Sequence, residues 1–329
     1  MKKLPVGLLL ASAALTACGG GGSDFGGDGN GPDPSGALPI DSANGVAAVR
    51  HSYEAAVASG GIAELGESRI LGAAPENGYT IASQAMSPEE LALDVISLLP
   101  FGPIVEQCLG GTGIVTVSGD IASIDTLSAG DSFIVEYDQC DEGQGEVIDG
   151  IIELTVTDFS GDVFLGTYLV AMDAVIDSLS IATGTDTVTA DGDASINLDT
   201  MNIPFVAASV AGTSLTQTSN AGTESLTGYR SDQTVDGNQD PPPFTMEASG
   251  TLDSSALGGS VDYATQTPFA GYVPGYPSEG VLLVEGAGST ARLVVIDDNN
   301  VRVEIDANAD GVVDATFDLT WDAFLAPGG

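Results

Sequence analysis

The chain has 329 residues, of which 47 are Asp or Glu and only seven are Lys or Arg, so its formal net charge is −40. Such a surface repels nucleic-acid phosphates and anionic lipid headgroups, which excludes a nucleic-acid partner. Because 43% of the residues are hydrophobic, the composition argues against disorder and is sufficient to bury a sizeable core in one or two domains.

Residues 1–17 have the pattern of an export signal, with lysines at positions 2 and 3 and an apolar run from Leu4 to Leu15. The sequence Leu15-Thr16-Ala17-Cys18 resembles the lipobox of bacterial lipoproteins. The resemblance implies that Cys18 becomes the mature N-terminus and carries acyl chains such as palmitate. The alternative is a plain secretory signal with a chance cysteine. In the family, a residue other than aspartate after the cysteine, here Gly19, implies an outer-membrane lipoprotein with a periplasmic or surface-facing body.

Residues 18–39 are rich in Gly, Asp and Pro and read as a flexible tether after the cysteine. A Gly-rich chain of this length spans roughly 25 Å. The Leu4–Leu15 run is too short to cross a bilayer as a helix and no later stretch is longer, so the only predicted membrane attachment is the N-terminal acyl anchor. Removal of the signal leaves five arginines against 47 acidic residues, a formal charge of −42.

Residues 40–103 are predicted to form a helical segment that packs on the rest of the protein. The first helix is predicted at 41–59, with Val46, Val49, Tyr53 and Val57 on one face and Gly60-Gly61 as its end. A second helix is predicted at 88–99, because Ser87, Pro88 and Glu90 form a capping pattern.

From residue 104 to 329 the apolar residues recur with period two. Phe133, Val135 and Tyr137 alternate with polar or exposed positions, and similar runs start near residues 152, 244, 301 and 313. Alternation of this kind places one face of a sheet on a core and the other in water. Short turn signals between the runs predict a mainly β antiparallel meander (a curved sheet, an open barrel or a sandwich) with the two N-terminal helices packed on it.

Three cysteines are present, and acylation of Cys18 would leave Cys108 and Cys140 to pair. An exported protein meets an oxidising compartment, which favours a disulfide. Free thiols or metal ligands are the alternative, although two cysteines with one distant histidine make a poor zinc site.

The segment Asp306–Asp314 spaces oxygen-bearing side chains at positions 1, 3, 5 and 9 around a glycine at position 6, a pattern that suits a hard cation. It resembles the Asp-rich calcium loops of EF-hands and thrombospondin-type repeats. The resemblance implies side-chain ligands from Asp306, Asn308, Asp310 and Asp314 and a carbonyl ligand from Val312, which would hold a structural calcium. Phe317 replaces the bidentate Glu of an EF-hand, and a simple hairpin turn at Asp310-Gly311 is the alternative. No other cofactor is predicted.

The wider C-terminal segment, Tyr276 to Trp321, resembles the ends of many exported β-rich bacterial proteins that carry no known activity. His51 is the sole histidine, its neighbour is Ser52, and no Gly-x-Ser-x-Gly motif occurs. We therefore expect His51 to be a solvated or partly packed helix residue.

The sequence favours a non-catalytic, lipid-anchored envelope protein that is structural or binds an envelope partner. Two alternatives stay open: a carrier of an apolar ligand in a curved sheet, and a hydrolase that uses paired carboxylates.

Overall fold

The computed structural model describes residues 36–61, 103–108, 110–122, 127–141, 146–162, 165–184, 186–220 and 222–326. Within these ranges the chain forms one long helix, α1 (Gly45–Gly61), fourteen strands, and a short C-terminal helix, α2 (Trp321–Leu325). The strands are β1 Ile104–Gln107, β2 Ile114–Asp120, β3 Ser132–Asp141, β4 Glu146–Asp162, β5 Thr167–Thr183, β6 Asp186–Asn202, β7 Phe205–Ser219, β8 Gly222–Asp236, β9 Pro243–Ser254, β10 Gly259–Tyr272, β11 Pro277–Gly286, β12 Ser289–Val295, β13 Asn300–Asp306 and β14 Ala315–Thr320.

Every strand pairs antiparallel with the next, in the order β1 to β14, and the described residues show no pairing between β1 and β14. The predicted mainly β antiparallel meander is therefore confirmed as one open sheet. Turns alternate between its two ends. We call the end with the turns after β2, β4, β6, β8, β10 and β12 the far rim, and the opposite end the entry rim.

The helical predictions are only partly correct. α1 begins at Gly45 rather than at residue 41, because the Asp41 carboxylate accepts the N–H groups of Ala43 (2.7 Å) and Asn44 (3.3 Å) and holds a turn before the helix. The helix predicted at 88–99 lies outside the described residues. The alternating run that starts near residue 313 extends in sequence to Trp321, but Trp321 begins α2 because the Thr320 hydroxyl caps the helix by accepting the N–H of Ala323.

The period-two pattern correctly predicted the buried side chains of β3, β4, β9 and β13. In the run that starts near residue 313 it was only partly correct, because Val313 is 46% exposed and lies before β14, and Ala315, Phe317 and Leu319 are half-buried. Phe133, Val135 and Tyr137 of β3 are at most 5% exposed, whereas Ile134 between them is 39% exposed. The same alternation runs through β4, β9 and β13. One side of the sheet is thus apolar and carries the core.

A row of β-bulges crosses the middle of the sheet. The register shifts after Tyr137 in β3, Asp149 in β4, Ile176 in β5, Gly192 in β6 and Thr227 in β8, at neighbouring positions across the sheet, whereas β7 and β8 pair without a shift. Each bulge bends its strand and increases the local twist, so the long strands share one crease.

Aspartates of β6 stabilise two of these bulges. The carboxylate of Asp191 accepts the N–H of Ser178, whose φ is 53°, at 2.7 Å. Asp193 accepts the N–H groups of Thr213 (2.9 Å) and Ser214 (3.0 Å). Partial burial raises the pKa of Asp193, but these hydrogen bonds outweigh it and leave the pKa below its ordinary value.

Glycines beside the crease leave room for aromatic rings from neighbouring strands. Tyr229 of β8 is 1% exposed and lies over Gly212 of β7, where a Cβ atom would come within 2.3 Å of Cζ of the ring. Its hydroxyl reaches one strand further and donates to the carbonyl of Asp193 at 2.6 Å. The same arrangement joins Tyr263 to Gly250, Phe244 to Gly271 and Phe269 to Gly280.

α1 lies on the apolar side of the sheet and contacts strands from β7 to β13. The predicted apolar face is only partly correct: Val49 and Tyr53 are buried, but Val46 and Val57 are half-buried. Small residues complete the buried face and allow a close approach of helix to sheet; they are Ala48, Ser52, Ala55, Ala56 and Ser59.

Tyr53 joins α1 to α2. Its ring centroid lies 5.3 Å from that of Phe269, 5.1 Å from that of Trp321 and 6.1 Å from that of Phe324. The guanidinium of Arg50 donates to the carbonyl of Ala326 at 2.8 Å. The C-terminal end of the described chain is therefore fixed beneath α1.

Candidate functional site

The sole histidine lies in a polar contact between α1 and the sheet. Nδ1 of His51 is 2.7 Å from Oε1 of Glu224 on β8, and the side chains are 15% and 27% exposed. Ser254 of β9 is fully buried and donates its hydroxyl hydrogen to the same Oε1 at 3.2 Å. His51 is thus a partly packed helix residue, as the sequence suggested, but its carboxylate partner was not predicted.

This arrangement is not that of a serine hydrolase. In such an enzyme the imidazole lies between the serine and the acid, so that it can accept the serine proton. Here the carboxylate of Glu224 lies between His51 and Ser254, and no hydrogen bond joins the imidazole to the hydroxyl. The Ser254 oxygen also accepts the N–H of Leu257 at 3.4 Å. The cluster therefore connects α1 to β8 and β9, and the imidazole is not placed to accept the serine proton.

Glu54, one turn along α1, adds a carboxylate to the same region. Burial is the main effect on Glu54 and raises its pKa, while His51 and Arg50 act in the opposite direction and Glu224 adds repulsion. A carboxyl group in this position favours the folded protein most when it is protonated.

The Asp306 loop connects β13 to β14, and its side-chain oxygens accept hydrogen bonds from backbone N–H groups of the same loop. Asp306 accepts the N–H of Gly311 at 2.7 Å and that of Asp310 at 3.2 Å, and Asn308 accepts the N–H of Asp310 at 2.9 Å. Asp314 accepts the N–H of Ala307 at 2.9 Å.

In the described ranges, no group of three or more His, Cys, Asp or Glu side chains is placed to hold a metal ion. The side-chain oxygens of the loop accept backbone N–H groups, as in a hydrogen-bonded turn. Calcium binding stays a prediction, with the expected ligands Asp306, Asn308, Asp310, Val312 and Asp314. Desolvation raises the pKa of Asp306, but the backbone hydrogen bonds outweigh it and lower the pKa overall.

The predicted disulfide is present. Cys108, which follows β1, is bonded to Cys140 of β3, with a Cα–Cα distance of 5.4 Å. Cys140 is fully buried and Cys108 is 7% exposed. The bond attaches the β1–β2 hairpin to β3 next to the first bulge of the crease.

Cys18 lies outside the described residues. The last part of the predicted 18–39 tether is not flexible as expected, because Gly36 and Leu38 are hydrogen-bonded to the sheet at the entry rim. Leu38 donates its N–H to the carbonyl of Ser260 and accepts the N–H of Ala287, both at 2.8 Å. Ile40 is 1% exposed and donates its N–H to the hydroxyl of Ser289 at 2.7 Å. Within the part of the chain that the structure describes, no helix has the length and apolar character needed to cross a membrane.

Comparison with family models, with curated proteins and with solved structures finds no match for this chain.

Proposed function

We propose that this chain is a non-catalytic lipoprotein of the bacterial outer membrane, anchored through Cys18, whose β-sheet body binds an envelope partner. The observation that carries the proposal is the way residues 36–40 join the body. The last residues of the predicted 18–39 tether are themselves hydrogen-bonded to β10 and the β11–β12 turn, so a membrane anchor at Cys18 would hold the sheet by its entry rim.

Two further features support an envelope location. The Cys108–Cys140 disulfide is typical of an oxidising compartment. The mature chain would carry a formal charge of −42, which suits a protein held off anionic surfaces by a tether.

The geometry at His51 supports the non-catalytic part of the proposal. Glu224 is the common hydrogen-bond partner of His51 and Ser254, so the imidazole does not contact the serine hydroxyl as it would in a serine hydrolase. The cluster instead joins three elements of the core.

Intact mass spectrometry of the protein extracted from native membranes tests the anchor. We expect a mature chain that starts at Cys18 and carries fatty acyl mass, and we expect the Cys18→Ser variant to appear in the soluble fraction. A mature protein without acyl mass, or a Cys18→Ser variant that stays in the membrane fraction, would overturn the proposal.

A carrier of an apolar ligand is the second candidate, favoured by the crease, which bends the apolar side of the sheet. Native mass spectrometry of the detergent-extracted protein tests it. A lipid that stays bound after Cys18→Ser removes the anchor would support this function, and a ligand-free mass would count against it.

A further inference from the structure

Exposed apolar side chains are concentrated on the far rim. Among the described residues, twelve large apolar side chains are exposed, and six of them lie in or next to far-rim turns. These six are Leu165, Met201, Ile203, Phe205, Tyr272 and Ile296. Scattered exposed apolar residues are ordinary on a protein surface, but a group at adjacent turns marks an interaction site.

Four of the six, Leu165, Met201, Ile203 and Phe205, belong to two turns that touch; we call these four residues the far-rim patch. Their exposed fractions are 72%, 47%, 51% and 39%. A Cβ atom added to Gly166 would lie 3.7 Å from Cδ1 of Ile203, which is an ordinary van der Waals distance. The β6–β7 turn therefore packs against the β4–β5 turn.

Carboxylates are fixed beside each part of the far-rim patch. Asp162 accepts the N–H of Leu165 at 3.1 Å, and Asp199 accepts the N–H of Met201 at 2.9 Å. Asp236 is the cross-strand partner of Phe205 and accepts the N–H of Asn238 at 3.0 Å. The apolar patch is therefore fringed by three negative charges whose positions are set by the backbone.

The negative charge around the far-rim patch favours some binding partners over others. A second copy of the chain would bring an identical acidic fringe against the first, and an anionic lipid surface would be repelled. A protein surface with an apolar centre flanked by Lys or Arg matches both features, since complementary charge guides encounter while buried apolar anchors supply affinity.

We propose that the far-rim patch is the docking site for a basic protein partner of this kind. The proposal rests on the partner-binding part of the proposed function and names the surface and the partner's chemistry. Residues 36–40 meet the sheet at the entry rim, so an anchored molecule presents the far-rim patch at the end away from its tether.

Site-specific photocrosslinking of the full-length protein in its native cells tests the proposal. A benzophenone amino acid is placed at position 165 or 203, and a matched control is placed at position 175. Val175 is 49% exposed and has acidic cross-strand neighbours, Glu153 and Asp193, but lies in the middle of β5, away from the turns. We expect one protein adduct at 165 and 203 and none at 175, with a crosslinked peptide that carries apolar residues flanked by Lys or Arg.

Affinity for the partner identified in this way is the second measurement. We expect Ile203→Ser with Phe205→Ser to weaken binding by on the order of tenfold or more, since buried apolar anchors dominate such interfaces. Val175→Ser should leave the affinity unchanged, and circular dichroism should show that both variants are folded. Raised salt should slow association with the unsubstituted protein.

Several outcomes would overturn the proposal: equal crosslinking at 165 and 175, no adduct at 165 or 203, an adduct with a second copy, or an adduct with lipid. Acyl mass at Cys18 is measured separately in the same cells. A failed anchor with an intact adduct therefore refutes the lipoprotein assignment alone, whereas acylated protein without the adduct refutes the far-rim patch alone.

Discussion

The Gly212→Ala substitution tests whether the aromatic contacts across the crease stabilise the sheet. The added Cβ would lie 2.3 Å from Cζ and 2.4 Å from Cε1 of Tyr229, and 2.4 Å from the carbonyl oxygen of Asp193. All three distances are too short, so the ring and the neighbouring bulge must shift. The Tyr229 hydroxyl then loses its 2.6 Å bond to Asp193.

The expected cost follows from two contributions. Overpacking of a buried site costs about 1–3 kcal/mol. Loss of the partly buried hydrogen bond from Tyr229 to the Asp193 carbonyl costs about 1 kcal/mol. Replacing glycine by alanine also restricts the unfolded chain and recovers about 0.4–1 kcal/mol. We therefore expect the free energy of unfolding to fall by about 2 kcal/mol.

Urea unfolding, followed by tryptophan fluorescence and by far-ultraviolet circular dichroism, measures this change. Tyr229→Phe is the matched control, because it removes the hydroxyl and keeps the ring, and should cost only about 1 kcal/mol. In a double-mutant cycle the two substitutions should cost less together than the sum of their separate effects, since both remove one hydrogen bond. A Gly212→Ala protein as stable as the parent would refute the reasoning.

Three further predictions concern the disulfide, Glu54 and the Asp306 loop. Cys108→Ser with Cys140→Ser should lower the free energy of unfolding by about 3–4 kcal/mol, because a bond across 32 positions restricts the unfolded chain; an unchanged urea midpoint would contradict this. The pKa of Glu54 is raised above 4.5 in the folded protein, so its contribution to stability is present below that pH and is lost as the pH rises through the folded value. Glu54→Gln should therefore match the parent in acid and exceed it at neutral pH, and unfolding curves that differ equally at every pH would argue against the burial effect. The calcium hypothesis predicts a higher Tm in millimolar calcium than in chelator, an increase that Asp306→Asn should abolish; identical curves in both solutions would leave the loop as a hydrogen-bonded turn.

The sequence was sufficient to predict β3, β4, β9 and β13 together with their buried faces, because a strand with one face on the core alternates apolar and polar residues. Phe133, Val135 and Tyr137 show this in β3, where the intervening Ile134 is exposed although it is apolar. The antiparallel meander followed from the short connections, and the disulfide followed from the number of cysteines and the predicted compartment.

Features that depend on distant partners could not be predicted. His51 meets Glu224 across 173 positions, and with 47 acidic residues no pattern singles out that carboxylate. Similarly, the crease depends on bulges that align only after the strands have paired. Trp321 continues the alternation of β14, and only the Thr320 cap reveals that a helix starts there.

The calcium ligands illustrate a different difficulty. Oxygen-bearing residues spaced to surround a cation are equally suited to accept backbone N–H groups in a tight turn. Asp306 and Asn308 do accept such groups, so the pattern in the sequence is compatible with both interpretations.

The junction at residues 36–40 determines how mechanical load would enter the molecule. A pull on the N-terminal chain reaches the hydrogen bonds of Leu38 with Ser260 and Ala287, and then Ile40 packed in the core. The load therefore falls on β10 and the β11–β12 turn, which are interior parts of the sheet, and not on the terminal strands β1 and β14, from which a sheet is most easily unzipped. Tension along the N-terminal chain would be shared by the strands that pair on both sides of β10 and of the β11–β12 hairpin. The sheet would therefore resist a pulling force without strand separation from an edge.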